Sequence, residues 1–182
     1  MQRVVVLGCS GAGKSTLSRR LAAITGLPRV ELDVIHWRPG WVSTPRVEWR
    51  ALVATVAAGP AWIVDGNYFS TLDIVLPRAD TVIGLDYARH RCLRGMLTRT
   101  IANLGRVRDG GPEGCPERFN LEFLRYVWNF NAKSRPRLVA ALEAHGSHAR
   151  LHRLAGDRDA ETLLSQVRQA RAEIPDIAEG GP

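Results

Sequence analysis

Eight residues near the start of the chain have the types and spacing needed to hold a chain of phosphates. Residues 8–15 read Gly-Cys-Ser-Gly-Ala-Gly-Lys-Ser, which matches the pattern Gly-x-x-x-x-Gly-Lys-Ser. Glycines let successive backbone N–H groups turn toward one anion, and a helix that begins at the lysine points its positive end at the same place. The lysine can reach the outer phosphates, and the serine hydroxyl can bind Mg²⁺. The candidate nucleotide-binding residues are therefore Gly8, Ser10, Gly11, Ala12, Gly13, Lys14, Ser15 and Thr16.

Aspartates follow three short apolar segments that are typical of buried strands, and they supply the next candidates. Asp65 comes after Trp62-Ile63-Val64, where it could hold Mg²⁺ opposite Ser15. Asp33 stands beside the expected acceptor cleft, and two roles stay open for it. It could orient an acceptor hydroxyl and accept its proton, or, if the acceptor is a phosphate, the carboxylate would repel it and arginines would bind it instead. We interpret Asp86 as the cap of the following helix.

The acceptor side of such a site is expected in two loop segments. Trp37 and Trp41 flank a Pro-Gly turn, where they could form an apolar wall for the acceptor or pack the loop against the core. Asn67 and Tyr68 follow Asp65-Gly66 directly. The candidate substrate-binding residues are therefore Asp33, Trp37, Arg38, Asp65, Asn67 and Tyr68, whereas Trp49, Trp62 and Trp128 are expected in the core.

The positive charge of the chain is concentrated in one segment. Residues 89–137 contain eleven Lys or Arg against four Asp or Glu, and this excess equals the formal net charge of +7 for the whole chain. Such a segment must meet something negative or repel itself. A solvated basic surface is one alternative, and a nucleic-acid backbone is another. Nucleic acid is disfavoured because the arginines are not interleaved with a base-stacking pattern, and Phe119, Phe123, Tyr126 and Phe130 have the helical spacing of core residues.

The remaining pattern indicates the elements that position these residues. Strand-like segments at residues 4–7, 29–32, 61–64, 81–85 and 150–154 alternate with helical segments, which predicts an α/β domain with a five-stranded parallel sheet. We expect residues 1–173 to form a single domain and residues 174–182 to be a flexible tail. Composition argues against a membrane span, a secretory signal, a disulfide framework and a zinc site, and three scattered cysteines favour the cytoplasm. The oligomeric state is left open.

Several of these motifs together resemble a known family. The phosphate loop, Leu32-Asp33, Trp62 to Tyr68 and Ala79 to Asp86 resemble the adenylate kinase superfamily of phosphate-loop kinases. Trp37 to Trp41 and Gly114-Cys115-Pro116-Glu117 add a closer resemblance to a bacterial subfamily that is described both as adenylate kinase-like and as DNA topology modulation protein.

The resemblance implies a three-layer fold, ATP with Mg²⁺, and a mobile helical lid rich in arginine over residues 89–137. Lys14 and Asp33 would be catalytic, together with lid arginines that neutralise phosphate charge, for which the candidates are Arg94, Arg99, Arg106 and Arg135. The expected activity is transfer of the γ-phosphoryl group to a small acceptor. A nucleoside monophosphate kinase and an ATPase regulator associated with nucleic acid are the alternatives.

Overall fold

The structure is a computed structural model, and it describes residues 1–173. Its strands are β1 (Arg3–Gly8), β2 (Arg29–Glu31), β3 (Trp37–Arg38), β4 (Val42–Ser43), β5 (Trp62–Asp65), β6 (Thr81–Leu85) and β7 (Arg150–Leu154). Its α-helices are α1 (Lys14–Thr25), α2 (Leu32–His36), α3 (Arg46–Ala58), α4 (Leu72–Val75), α5 (Arg89–Ala102), α6 (Leu121–Asn129), α7 (Arg135–His145) and α8 (Asp157–Ala172). The predicted flexible tail, residues 174–182, lies outside the described residues.

Within the described residues, five strands form one parallel sheet in the order β2-β5-β1-β6-β7. The first strand is central because its Val-Val-Val-Leu sequence is apolar on both faces, and Val4, Val5 and Val6 are at most 1% exposed. In register, Val6 lies beside Asp65 on one side and Ile83 on the other. The phosphate loop thus leaves the middle of the sheet, at the edge where ligands bind in α/β folds.

Helices cover both faces of the sheet. The crossover from β1 to β2 runs toward one end of the sheet and the later crossovers run toward the other end. The right-handed rule for such crossovers therefore puts α1 on one face, and α3, α4 and α7 on the opposite face. The last helix, α8, returns to pack against α1, while α4 packs between α3 and α7. The predicted three-layer α/β fold with a five-stranded parallel sheet is therefore confirmed.

The main differences from the sequence-based expectation lie in segments that carry the acceptor and lid residues. The Pro-Gly segment forms a small antiparallel hairpin of β3 and β4, which follows the short helix α2 and was not predicted. Phe119, which was grouped with the aromatic residues at helical spacing, lies outside helix α6. This helix begins at Leu121, because Asn120 caps it by accepting hydrogen bonds from the amides of Glu122 and Phe123. It then runs through one π-helical turn, Phe130–Ser134, into α7.

One of the predicted core tryptophans is on the surface. Trp49 and Trp62 are each 2% exposed, as predicted, but Trp128 is 53% exposed and stacks against the guanidinium of Arg89. Cys9, Cys92 and Cys115 are free and buried. Among residues 1–173, no helix is both long enough and apolar enough to cross a bilayer.

Candidate active site

The phosphate loop joins β1 to the first turn of α1. Gly11 and Gly13 have φ values of 79° and 90°, which glycine adopts without the strain that a Cβ would bring. Lys14 Nζ donates hydrogen bonds to the carbonyl oxygens of Gly8 at 2.9 Å and Cys9 at 3.1 Å. No side chain caps the start of α1, and its first turn carries no acidic residue. The helix therefore directs uncompensated backbone N–H groups at the loop, which suits an anion.

Asn67 fixes the shape of the loop from outside it. Its side-chain oxygen accepts a hydrogen bond from the Gly8 amide at 3.0 Å, and its side-chain nitrogen donates to the Gly8 carbonyl. Asn67 follows β5 and also lines the cavity described below. The residue was predicted as an acceptor contact, and the structure adds a positioning role at the start of the phosphate loop.

Asp65 and two serines of α1 form a small oxygen-rich corner at the end of β5. The Ser15 hydroxyl lies 3.5 Å from Asp65 Oδ1, and the Ser18 hydroxyl donates to Asp65 Oδ2 at 2.7 Å. Arg29 Nη1 is 3.8 Å from the same Oδ2. Burial raises the pKa of Asp65 above its usual value, although Lys14 and the Ser18 hydroxyl favour the charged form.

This corner fits a magnesium ion that arrives with a nucleotide. Among the described residues no group of three or more His, Cys, Asp and Glu side chains gathers as a metal cluster. Mg²⁺ commonly takes only one or two protein oxygens and completes its shell with phosphates and water. The Ser15 hydroxyl and the Asp65 carboxylate supply oxygens of that kind beside the phosphate loop.

A cavity of about 430 Å³ opens beside the phosphate loop. Its lining includes Ser10 and Lys14 together with predicted acceptor residues: Asp33, Trp37, Trp41, Asn67 and Tyr68. Most of the predicted acceptor residues are thus brought to the predicted lysine, although β2, the hairpin and β5 are separate in sequence. Of the two interpretations of Trp37 and Trp41, the lining position favours the wall of a binding site over packing alone.

Asp33 is the carboxylate that the cavity presents to a ligand. It lies in α2, one residue beyond the expected strand end, and its side chain is 52% exposed. The Tyr68 hydroxyl donates a hydrogen bond to Asp33 Oδ1 at 2.7 Å, which fixes the direction of the carboxylate. Burial, with Asp33 next to it, raises the pKa of Tyr68 above its usual value, so the phenol stays protonated as a donor.

Arginines from the lid segment border the same cavity, held by a buried glutamate. Glu117 is 6% exposed, and its Oε1 lies 3.2 Å from Arg99 Nε and 3.8 Å from Arg108 Nη1. Arg108 Nη2 is also 3.8 Å from Asp33 Oδ2. Burial, and then the neighbouring charge of Arg108, lower the pKa of Arg99 below the usual arginine value. Glu117 offsets this repulsion and keeps both guanidinium groups at the cavity.

The loop between α5 and α6 rests on the hairpin across the cavity. The Gly40 amide donates to the Gly114 carbonyl, and Trp41 Nε1 donates to the Pro116 carbonyl, both at 2.9 Å. The Cys115 thiol donates to the Arg38 carbonyl at 3.1 Å. The hairpin and this loop, residues 103–120 of the predicted lid (the lid loop), are therefore joined beside the cavity.

Some predicted site residues are not among the residues that line this cavity. Arg94 and Arg106 are exposed, Arg38 forms an exposed ion pair with Glu48, and Arg135 pairs with Asp86, which raises the pKa of Arg135. Of the four predicted lid arginines, the structure brings Arg99 to the cavity. The catalytic roles of all four arginines stay predictions.

The structure also places residues that the sequence analysis missed or misassigned. Arg108 borders the cavity beside Asp33, and its position two residues after Arg106 in the basic segment was the available signal. Arg118, an exposed arginine, also lines the cavity. Phe119, Phe123 and Tyr126 line the cavity, and Phe123 also packs against the core. Of the four aromatic residues predicted in the core, Phe130 is fully buried.

Comparisons with known proteins support the fold. No protein-family model matches the chain, and no curated protein matches it. A gluconokinase from Sinorhizobium meliloti 1021 is similar in structure, with a TM-score of 0.51, 18% identity, and coverage of 94% of this chain and 95% of that one. A candidate kinase from Chloroflexus aurantiacus j-10-fl gives a TM-score of 0.53, 19% identity, and coverage of 91% and 96%. The chain thus shares its α/β fold with these two proteins over nearly its whole length.

Proposed function

We propose that this chain is an ATP-dependent small-molecule kinase that transfers the γ-phosphoryl group of Mg·ATP to a small acceptor. The observation that carries the proposal is the shared cavity: Lys14 of the phosphate loop, the Asp33 carboxylate and the lid guanidinium of Arg99 all border it. A phosphate donor and an acceptor could therefore meet between a cation and a proton-accepting group.

The chain's own residues have distinct tasks in this reaction. The loop amides and Lys14 hold the phosphates, and the Ser15 hydroxyl and the Asp65 carboxylate would hold Mg²⁺, which neutralises phosphate charge when bound. For a hydroxyl acceptor, the oxygen attacks the γ-phosphorus, the bond to the ADP oxygen breaks, and Asp33 takes the hydroxyl proton. Arg99 and Arg108 stabilise charge on the transferring group, and the hairpin and lid loop exclude water.

Membership in the bacterial adenylate kinase-like subfamily belongs to the same proposal. Its support is the set of motifs around the phosphate loop, Asp33, Asp65 and Gly114 to Glu117, combined with the kinase-type fold. We propose on the same basis a single domain acting in the cytoplasm.

A pair of lysine variants tests the activity, because the chain contains just two lysines. Lys14→Ala should abolish acceptor-dependent ADP formation and weaken Mg·ATP binding in calorimetry, with an unchanged melting temperature. Lys133→Ala, an exposed position outside the cavity lining, should keep wild-type turnover. A fully active Lys14→Ala protein would refute the assignment.

A regulator that hydrolyses ATP would give a different pattern. It would release ADP slowly without an acceptor, and its activity would respond to DNA with a steep dependence on salt. A kinase should instead show little hydrolysis until an acceptor is added.

A further inference from the structure

Aromatic side chains dominate the acceptor side of the cavity. Among the described residues, six ring-bearing side chains line it: Trp37, Trp41, Tyr68, Phe119, Phe123 and Tyr126. They come from two distant parts of the chain, the hairpin with the β5 loop, and the lid loop with α6. Two pairs make ring contacts, Trp37 with Trp41 at 5.6 Å between centroids and Phe123 with Tyr126 at 6.0 Å.

None of these rings is fully buried, although Tyr68 and Phe123 also pack against the hydrophobic core. Each of the six keeps part of its surface accessible, and Phe119 is 59% exposed. Apolar surface collected in a concave site marks a ligand-binding wall, since a ligand that covers it removes that surface from water. A flat ring can cover such walls, whereas the hydroxyl groups of a polyol need hydrogen-bond partners that aromatic faces do not provide.

The charges around the cavity limit the charge of the acceptor. Among the described residues, the lining contains four cations, Lys14, Arg99, Arg108 and Arg118, and two carboxylates, Asp33 and Glu117. This leaves an excess of two positive charges. Mg·ATP carries about two negative charges near pH 7, so the donor alone balances the site.

The position of the carboxylates also indicates that the acceptor carries no negative charge. Glu117 already compensates Arg99 and Arg108, at 3.2 and 3.8 Å. Asp33 faces the cavity with its direction set by the Tyr68 hydroxyl, so it suits a hydroxyl proton and would repel a phosphate dianion.

On the basis of the proposed kinase function, we propose that the acceptor is an uncharged alcohol that carries a flat aromatic ring. The hydroxyl oxygen bonds to the γ-phosphorus of ATP, ADP leaves with the bridging oxygen, and the hydroxyl proton passes to Asp33. The products are ADP and the phosphate monoester of the ring-bearing alcohol. A nucleoside has the required chemistry, whereas a nucleoside monophosphate and a ringless sugar acid lack it.

An acceptor panel tests this specificity. Ring-bearing alcohols (adenosine, guanosine, cytidine, uridine, thymidine and pyridoxine) are compared with the matching nucleoside 5′-monophosphates and with ringless acceptors (gluconate and glycerol). ADP formation is measured, and products are identified by mass. At least one ring-bearing alcohol should exceed its monophosphate and every ringless acceptor by about tenfold or more in kcat/KM.

Binding of Mg·ATP, measured separately by calorimetry, separates the two possible failures. If Mg·ATP binds but a monophosphate or a ringless acceptor is preferred, or no ring-bearing alcohol reacts, the acceptor proposal is wrong while the nucleotide site stands. If Mg·ATP does not bind at all, the proposed kinase function itself is wrong, and the acceptor proposal falls with it.

Two variants of one helix test the role of the rings. Phe123→Leu removes a cavity ring but keeps an apolar side chain, and it should raise KM for the ring-bearing acceptor about tenfold with little change in KM for ATP. Trp128→Leu, also on α6 but outside the cavity lining, is the matched control and should change neither value. Melting temperatures verify that both variants fold. An unchanged acceptor KM in Phe123→Leu would overturn the proposed aromatic recognition.

Discussion

Gly95→Ala tests how closely the phosphate loop depends on the helix that leads into the lid. A Cβ on Gly95 of α5 would lie 2.3 Å from the carbonyl oxygen of Gly11. The reverse contact is as tight, because a Cβ on Gly11 would lie 2.1 Å from the carbonyl oxygen of Cys92. The loop and α5 therefore touch backbone to backbone, and α5 also carries Arg99.

Two opposing free-energy terms decide the effect of the substitution. Replacing glycine by alanine inside a helix normally stabilises it by about 1 kcal/mol. Here the new methyl group must move about 1 Å to reach an ordinary contact of roughly 3.5 Å, and overpacking of this kind costs about 1–3 kcal/mol. We therefore expect net destabilisation of up to about 2 kcal/mol, or a melting temperature lower by about 4–8 °C.

The same displacement should affect function. If the loop moves to relieve the contact, its amides no longer converge on one phosphate group. A displacement of about 1 Å near reacting groups can lower turnover about 100-fold. The Kd for a non-hydrolysable Mg·ATP analogue should rise at least about tenfold, equivalent to 1.4 kcal/mol.

Thermal unfolding and calorimetry provide the measurements, and Gly84→Ala provides the control. Gly84 lies in β6, and a Cβ there would meet no atom within 4 Å. That variant should keep wild-type nucleotide affinity. A Gly95→Ala protein that is more stable than wild type, as helix propensity alone predicts, and that binds nucleotide with wild-type affinity would refute the close packing of α5 against the phosphate loop.

Three further predictions concern charged residues. Asp65→Asn should lower activity about 100-fold through the loss of a magnesium-binding carboxylate, yet raise the stability of the free protein at pH 7. The sign follows from the raised pKa of buried Asp65: the folded chain holds that proton more tightly than the unfolded chain, so stability falls as pH rises through the folded pKa. Melting curves from pH 4 to 8 should show that the extra stability of the variant over wild type decreases toward low pH. An Asp65→Asn protein that is less stable than wild type at pH 7 would contradict this. Glu117→Gln should destabilise the fold by about 2 kcal/mol because Arg99 loses its buried counter-charge, and an unchanged melting temperature would show that the pair carries little energy. Arg135→Ala should change stability by less than about 1 kcal/mol, since the ion pair of Arg135 with Asp86 is exposed. The same variant should lower kcat if Arg135 contacts the transferring phosphate, and an unchanged kcat would show that Arg135 is not catalytic.

The sequence alone predicted the features that depend on neighbours in the chain. Gly8 to Ser15 encode a phosphate loop because turn geometry and helix start are local properties. The apolar segments before Asp65 and Asp86 predicted buried parallel strands, since both faces of such a strand are covered. Because the carboxyl ends of parallel strands share one edge, the sequence predicts Asp65 opposite Ser15, and the two side chains lie 3.5 Å apart.

Only the tertiary structure decided which side chains from distant segments meet. Helical spacing put Phe123 and Trp128 on a helix, but spacing does not tell whether a given face meets the core, a cavity or water. The same limit applies to the basic segment, whose excess charge is evident from the sequence. The sequence does not show which arginines reach the cavity. Arg99 and Arg108 lie there beside Glu117, which the folded lid loop brings close to both. Local chemistry depends on short stretches of sequence, whereas a binding cavity forms from surfaces that become neighbours only after the chain has packed.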